Sequence, residues 1–335
     1  IEPSKTSHGI TFVPPDTAIC SDCASEIADE SDRRFAYPFT NCTNCGPRYS
    51  IIESIPYDRR DTTMSKFRMC PACQKEYDNP ADRRFHAQPN ACPVCGPMVY
   101  MGKLAGSDAI SEAAEIIDNG GIIAVKGLGG YHIICDATQD VPIKTLRNLK
   151  GRPDKHLAVM CEADTISKYV KNKPEIKLFS SPQAPITIMN AAKVPISRYA
   201  NPMSNNIGFL SPYTPLHQIL LRECKTNFLI ATSGNRKDEP IAKNGRQAEK
   251  NLAEFTSHFL HHTRPIHNRV DDSLAAIVEG APYIMRRARG FAPYPVMLPA
   301  AVEGCVLAVG AHLKNTITIA EDRYAFVSQY TGDLD

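Results

Sequence analysis

The chain has 335 residues, 43% of them hydrophobic, and a formal charge of +2. That is enough polypeptide for two or three domains, and a balance so close to neutral argues against a bulk nucleic-acid binder. No apolar run is long enough to span a membrane, and the polar start Ile1-Glu-Pro-Ser-Lys-Thr6 has no apolar h-region, so neither a membrane anchor nor a secretory leader is expected. The start also lacks Met, which suits a piece of a longer chain. Twelve cysteines are spaced for metal rather than disulfides, so the expected compartment is the reducing cytoplasm.

The first third is a repeat with a period of 50 residues. Cys20-x-x-Cys23 and Cys42-x-x-Cys45 are separated by 18 residues, and Cys70-x-x-Cys73 and Cys92-x-x-Cys95 repeat that spacing. Asp32-Arg-Arg-Phe35 recurs as Asp82-Arg-Arg-Phe85. Eight cysteines in four such pairs predict two tetrahedral, all-cysteine Zn2+ sites. Sequential pairing is the default, and exchange between the blocks has the same spacing. Four thiolates leave no position for water or substrate, so both sites read as structural. With so few long apolar runs, the metals are expected to supply much of the folding free energy. As thiolates around two ions, these cysteines turn the formal charge into about −2. Arg33, Arg34, Phe35, Tyr37, Arg83, Arg84, Phe85 and His86 suit packing on the neighbouring domain better than nucleic-acid contact.

Residues 97–106 read as a linker that closes a first domain, 1–106. Ile110, Ala113, Ala114 and Ile117 then fall on one helix face, which Asn119-Gly-Gly121 ends. Strands are expected at 122–126, 157–161, 185–189, 228–232, 273–278 and 283–286, and helices near 140–149, 164–171, 215–223 and 246–255. This interleaving predicts an α/β domain over 107–292 with a mixed twisted sheet. Gly127-Leu-Gly-Gly-Tyr-His132 reads as a tight loop and is neither a Walker A nor a dinucleotide fingerprint.

Several polar stretches lie at strand ends. Lys150, Arg152, Lys155 and His156 gather around Gly151 and Pro153, just before a short apolar run. Such a basic cluster at the mouth of a sheet suits phosphate. Thr214, in Ser211-Pro-Tyr-Thr-Pro-Leu-His217, opens a helix whose free N–H groups suit an anion. Ser233 and Asn235 offer hydroxyl and amide groups on a turn, and Arg269 and Arg287 add cations. Singly, each is more often a cap, a turn or a surface ion pair. Cys135, Cys161, Cys224 and Cys305 read as free core cysteines. His258, His261 and His262 do not read as a metal cluster, because alternation along the chain separates their side chains. After a proline-rich linker at 293–299, strands are expected at 305–310, 315–320 and 323–329, too few to bury a core without leaning on the preceding domain.

Residues 107–291 resemble the YrdC family, whose K-x-R and S-x-N elements match Lys150-Gly-Arg152 and Ser233-Gly-Asn235. That resemblance implies a mixed α/β fold around a cation-lined cavity that binds ATP. Zinc block, YrdC-like domain and β-rich tail, in that order, resemble the HypF carbamoyltransferases of [NiFe]-hydrogenase maturation. The resemblance makes 293–335 a linker and the truncated start of an actin-like carbamoyl-transfer lobe, with Lys314 and Asn315 facing a nucleotide phosphate. It implies carbamoyl phosphate or carbamate and ATP as substrates, Mg2+ with the nucleotide, and HypE as the acceptor protein. Lys150, Arg152, Ser233 and Asn235 become the catalytic candidates, with Lys155, Thr214, Arg269 and Arg287 as further ligands. RNA contact through the YrdC-like domain is also admitted. Rival readings are a threonylcarbamoyl-adenylate synthase for tRNA modification, a carbamoyltransferase of antibiotic synthesis, and a zinc module that binds nucleic acid or protein.

Overall fold

The computed structural model describes residues 12–151, 153–191, 193–236, 239–311 and 315–331. The cysteine blocks contribute helices α1 (Ser21–Ala28) and α2 (Pro71–Asp78), each beginning directly after the first cysteine of its block. A short hairpin follows, β1 (Val99–Met101) and β2 (Leu104–Ala105). The next elements are α3 (Ser107–Asp118), β3 (Ile123–Lys126), β4 (Tyr131–Asp136), α4 (Asp140–Lys150), β5 (Val159–Met160), α5 (Ala163–Ile166) and α6 (Lys173–Phe179). Then come β6 (Ile186–Asn190), β7 (Asn206–Leu210), α7 (Pro215–Glu223), β8 (Leu229–Ser233), α8 (Gly245–Leu252), β9 (Phe259–His262), β10 (Leu274–Val278) and β11 (Ala281–Arg286). A long hairpin, β12 (Val296–Val309) and β13 (Ile317–Val327), ends the described chain.

Eleven strands form one mixed sheet in the order β11-β10-β6-β7-β5-β8-β4-β3-β9-β1-β2. Its parallel pairs are β3 with β9, β5 with β7 and β6 with β10. The predicted linker is therefore part of the sheet: Val99 and Tyr100 pair with His262 and His261 at its edge. The cysteine region does not keep a core to itself either. Ile27, Tyr37, Phe39, Ile51 and Met64 belong to the same buried cluster as α3, α7 and one face of the sheet. The other face packs under α4, α6 and α8.

Local chemistry sets the helix boundaries. The Thr214 hydroxyl accepts from the His217 amide (3.1 Å) and Pro215 opens α7. Gly151, at φ 57°, closes α4 in the left-handed region. Lys150 thus ends a regular helix rather than sitting in a loop. The expected loop at 127–132 gives way to strand at Tyr131.

The tail departs further from expectation. Residues 296–299 of the expected proline-rich linker are absorbed into β12, and the second and third expected strands merge as β13. Phe12 packs on Tyr324 at 5.1 Å, and the Tyr330 amide donates to the Arg287 carbonyl (3.0 Å), so the foot of the hairpin does lean on the sheet domain. Leu307 and Val309 remain exposed, as does Cys305, which corrects its reading as a core cysteine. Cys135, Cys161 and Cys224 are buried.

Ile117, fully buried where α3 meets the shared core, tests that continuity. Ile117→Ala is expected to cost about 2–5 kcal/mol of global stability, read by denaturant unfolding, with cysteine region and sheet domain unfolding together.

Candidate functional site

The eight block cysteines form two clusters within their own blocks: Cys20, Cys23, Cys42 and Cys45, and Cys70, Cys73, Cys92 and Cys95. Neighbouring sulfurs stand 3.5–3.8 Å apart in the first and 3.6–3.7 Å in the second. A tetrahedron of thiolates bound to zinc at ~2.3 Å has edges of ~3.8 Å, so the donor sets fit that ion. The paired arginines pack across the blocks instead of on the neighbouring domain. Arg34 binds Glu76 (3.0 and 2.6 Å) and the Ala91 carbonyl, while Arg83 and Arg84 bind Glu26. Burial raises the Glu76 pKa, but hydrogen bonds from Arg34 and Arg33 outweigh it and pull it down to about 2. Sequence reasoning passed over Glu26 and Glu76, although both lie six residues past the first cysteine of their block.

A second site lies on the sheet. A cavity of about 270 Å³ is lined by the ends of β4, β6, β7, β8, β10 and β11 and by the segment after α4. Its polar lining includes Lys150, Lys155, His156, Ser233, Asp271 and Arg286. The Lys150 ammonium donates to the Ser233 carbonyl at 2.7 Å and approaches Asn235 Oδ1 at 3.5 Å. The Ser233 hydroxyl donates to Asn235 Oδ1 at 2.6 Å, and Asn235 Nδ2 donates to the Glu239 carbonyl. Residues more than 80 positions apart are thereby joined at one wall. Arg152, the other member of the K-x-R element, lies outside the described residues, as does Lys314.

Other candidates do not reach the cavity. Thr214 spends its hydroxyl on capping α7 and lines a separate small hollow near Phe39 and Arg264. Arg287 donates to the Phe291, Tyr294 and Val327 carbonyls, which ties the tail to the sheet domain. Arg269 is outside the lining, and its carbonyl accepts from Gln329 (3.2 Å). Asn315 closes the β12–β13 turn, accepting from the Gly310 amide at 2.9 Å.

From the same arginine run, Arg286 does line the cavity, with Nε held on the Asp272 carbonyl at 2.9 Å and its guanidinium 5.5 Å from the Tyr330 ring centre. Strand register distinguishes it from Arg287: Arg286 pairs with Leu274 at the cavity end of β10. In this wall Asp272 accepts from Arg289 Nε (2.7 Å) and meets His132 Nε2 (2.9 Å), and both Asp272 and His132 line the cavity. Burial pushes the Asp272 carboxyl up, yet the charge of Arg289 and the His132 hydrogen bond hold it well below the usual carboxylate range. Burial raises the neighbouring Asp271, against the charge of Arg286. Asp271 and Asp272 are both carboxylates of the lining.

The comparisons follow this division. A profile described as "HypF finger" matches residues 19–52 and 69–101, the Sua5/YciO/YrdC profile described as "Telomere recombination" matches 115–288, and one described as "HypF Kae1-like domain" matches 301–335. The chain belongs to the HypF family. Carbamoyltransferase HypF of Synechocystis is 47% identical over 345 residues, a match covering all of this chain and 45% of that relative. The Rhodobacter capsulatus HypF is 42% identical, with 100% and 46% covered. A crystal structure of full-length HypF in the phosphate- and nucleotide-bound form superposes with a TM-score of 0.93 at 42% identity, covering 98% of this chain and 44% of that one. HypF from T. kodakarensis gives 0.91 at 40% identity, with 97% and 44% covered. The chain spans less than half the length of these HypF relatives.

His217, against His132 and Tyr213, is fully buried with no partner for either ring nitrogen, and burial lowers its pKa to about 3. The unfolded histidine titrates near 6.5, so its contribution is complete above that pH and is lost as pH falls from about 6.5 towards 3. Lowering pH from 7.5 to 5.5 is expected to cost about 1.4 kcal/mol through this residue. Unfolding of His217→Leu at both pH values, with zinc in excess, should show a pH dependence smaller by that amount.

Proposed function

We propose that this chain carries the adenylate-forming step of a HypF carbamoyltransferase. The observation that carries the reading is the meeting of Lys150, Ser233 and Arg286 around one cavity in the YrdC-like domain, with Asn235 outside the lining and bonded to Ser233. A carbamate oxygen attacks the α-phosphorus of ATP, the bond to the bridging oxygen breaks, and pyrophosphate leaves with that electron pair. The products are carbamoyl adenylate and pyrophosphate. Such a transfer depends on positioning and on stabilising charge rather than on a covalent intermediate.

Lys150, already fixed on the Ser233 carbonyl, has its ammonium beside the S-x-N turn, where it can meet a phosphate oxygen. Lys155 and Arg286 complete the cationic lining, and the K-x-R element offers Arg152 as a further phosphate ligand. Ser233 and Asn235 orient the carbamate or the α-phosphate with neutral donors. Mg2+, held through Asp271, would offset charge on the departing pyrophosphate. The apolar side chains Ile186, Ile188 and Leu274 at the cavity limit water around a product that hydrolyses readily.

In the full-length protein the carbamate would come from carbamoyl phosphate, and the carbamoyl group would pass to the C-terminal cysteine of HypE in the cytoplasm. Among the described residues no helix is long and apolar enough to cross a membrane.

ATP–pyrophosphate exchange, with carbamate formed from ammonium bicarbonate, tests the reading. The wild-type chain is expected to exchange label only when carbamate is present. Lys150→Ala and Ser233→Ala should each lower the rate by about 100-fold or more, in the range set by losing a positioned electrostatic donor. Carbamate-independent exchange, or variants as fast as wild type, would remove the assignment. Exchange dependent on threonine and bicarbonate would favour the threonylcarbamoyl-adenylate alternative.

A further inference from the structure

We propose that the two four-cysteine sites form one cooperative metal-binding unit, in which Arg33 and Arg83 each hold a thiolate of the opposite block. Arg83, in the second block, donates through Nη1 to Cys23 Sγ of the first at 3.2 Å. Arg33, in the first block, donates through both terminal nitrogens to Cys73 Sγ of the second at 3.5 Å. Arg34 adds a longer contact to the same sulfur at 3.7 Å. Cys23 and Cys73 are the fully buried members of their sets that equivalent repeat positions supply.

The carboxylates complete the exchange. Glu26 on α1 forms ion pairs with Arg83 and Arg84, and Glu76 on α2 forms ion pairs with Arg33 and Arg34. Backbone contacts obey the same symmetry: Arg34 Nε donates to the Ala91 carbonyl (2.9 Å) and Arg84 Nε to the Asn41 carbonyl (3.0 Å). Each block therefore supplies a cationic arm to the other block's site and a carboxylate that receives the other's arm.

The electrostatic consequence is direct. A divalent ion among four thiolates leaves a net charge of about −2 in a partly dry setting. Charge-assisted donors to sulfur offset it and fix the sulfur's direction. Arg33 lies in the turn after α1, whose place depends on Cys20 and Cys23 being gathered on their ion. Loss of the first ion therefore loosens the arm that holds Cys73, and the converse applies to Arg83 and Cys23. A coupling of this kind is reciprocal by thermodynamic necessity.

The test is zinc retention in the metal-loaded chain, independent of activity. The chain is challenged with excess EDTA and pulse-labelled with N-ethylmaleimide, and peptide mass mapping reads the two cysteine sets separately. Arg83→Ala is expected to speed labelling of Cys20, Cys23, Cys42 and Cys45 by about 10–100-fold, ahead of the cysteines of its own block. Arg33→Ala should do the reverse. Cys70→Ser should also speed labelling of the first set. Should the alanine variants lose their fold by circular dichroism, Arg33→Lys and Arg83→Lys, which keep the charge but lose the fork, should show the same crossed order with smaller amplitude. Labelling that strikes the variant's own block first, or sets that respond independently to each other's loss, overturns the proposal.

Discussion

Main-chain carbonyls hold two of the cations that face the cavity. Lys150 rests on the Ser233 carbonyl and Arg286 on that of Asp272. Arg147, just before Lys150, binds the Pro153, Lys155 and Ala200 carbonyls and so fixes the segment that carries the basic cluster. A carbonyl orients a cation without cancelling its charge, whereas a carboxylate does both. Arg289 marks the contrast. Fully buried on Asp272 and 3.4 Å from the Tyr213 ring centre, it serves the wall and does not line the cavity.

That arrangement needs a rigid frame, and three parts of the chain share in it. The sheet brings six strand ends to the cavity. The cysteine region adds its hairpin to the sheet edge and reaches further along it: Ser50 accepts the His267 amide, and Asn268 donates to the Tyr49 carbonyl (2.8 Å). The tail hairpin closes a third side, where Gln329 meets both Tyr49 and Arg269 and Tyr330 lies by Arg286. The metal-held region, the cavity wall and the start of the Kae1-like domain consequently meet within a few residues of one another. A disturbance at the foot of the hairpin has a short path to a cavity arginine.

Much of this was legible in the sequence because its signals are local. The period of the cysteine pairs fixed two tetrahedral sites, and the apolar spacing of Ile110, Ala113, Ala114 and Ile117 marked the face that α3 buries. Strands with strong apolar runs, such as 229–233, were placed within a residue or two. What was missed depends on tertiary context. The strand at 206–210 contains Gly208, weak in strand propensity, yet a β-carbon there would come within 2.9 Å of Ile186. The strand at 259–262 carries two histidines that only their partners explain: His261 meets the Tyr131 hydroxyl at 2.6 Å and His262 the Gly127 carbonyl at 3.1 Å. Arg286 and Arg287 are indistinguishable as letters. Register alone sends one to the cavity and the other to the tail.

Equilibrium binding of ATP by isothermal calorimetry, comparing the wild-type chain with Arg286→Ala, most directly tests whether the carbonyl-held cations form the anion site. Arg286→Ala should weaken binding by about tenfold or more, about 1.4 kcal/mol, while the folded signal by circular dichroism is kept. Equal affinity in the two proteins would contradict the account.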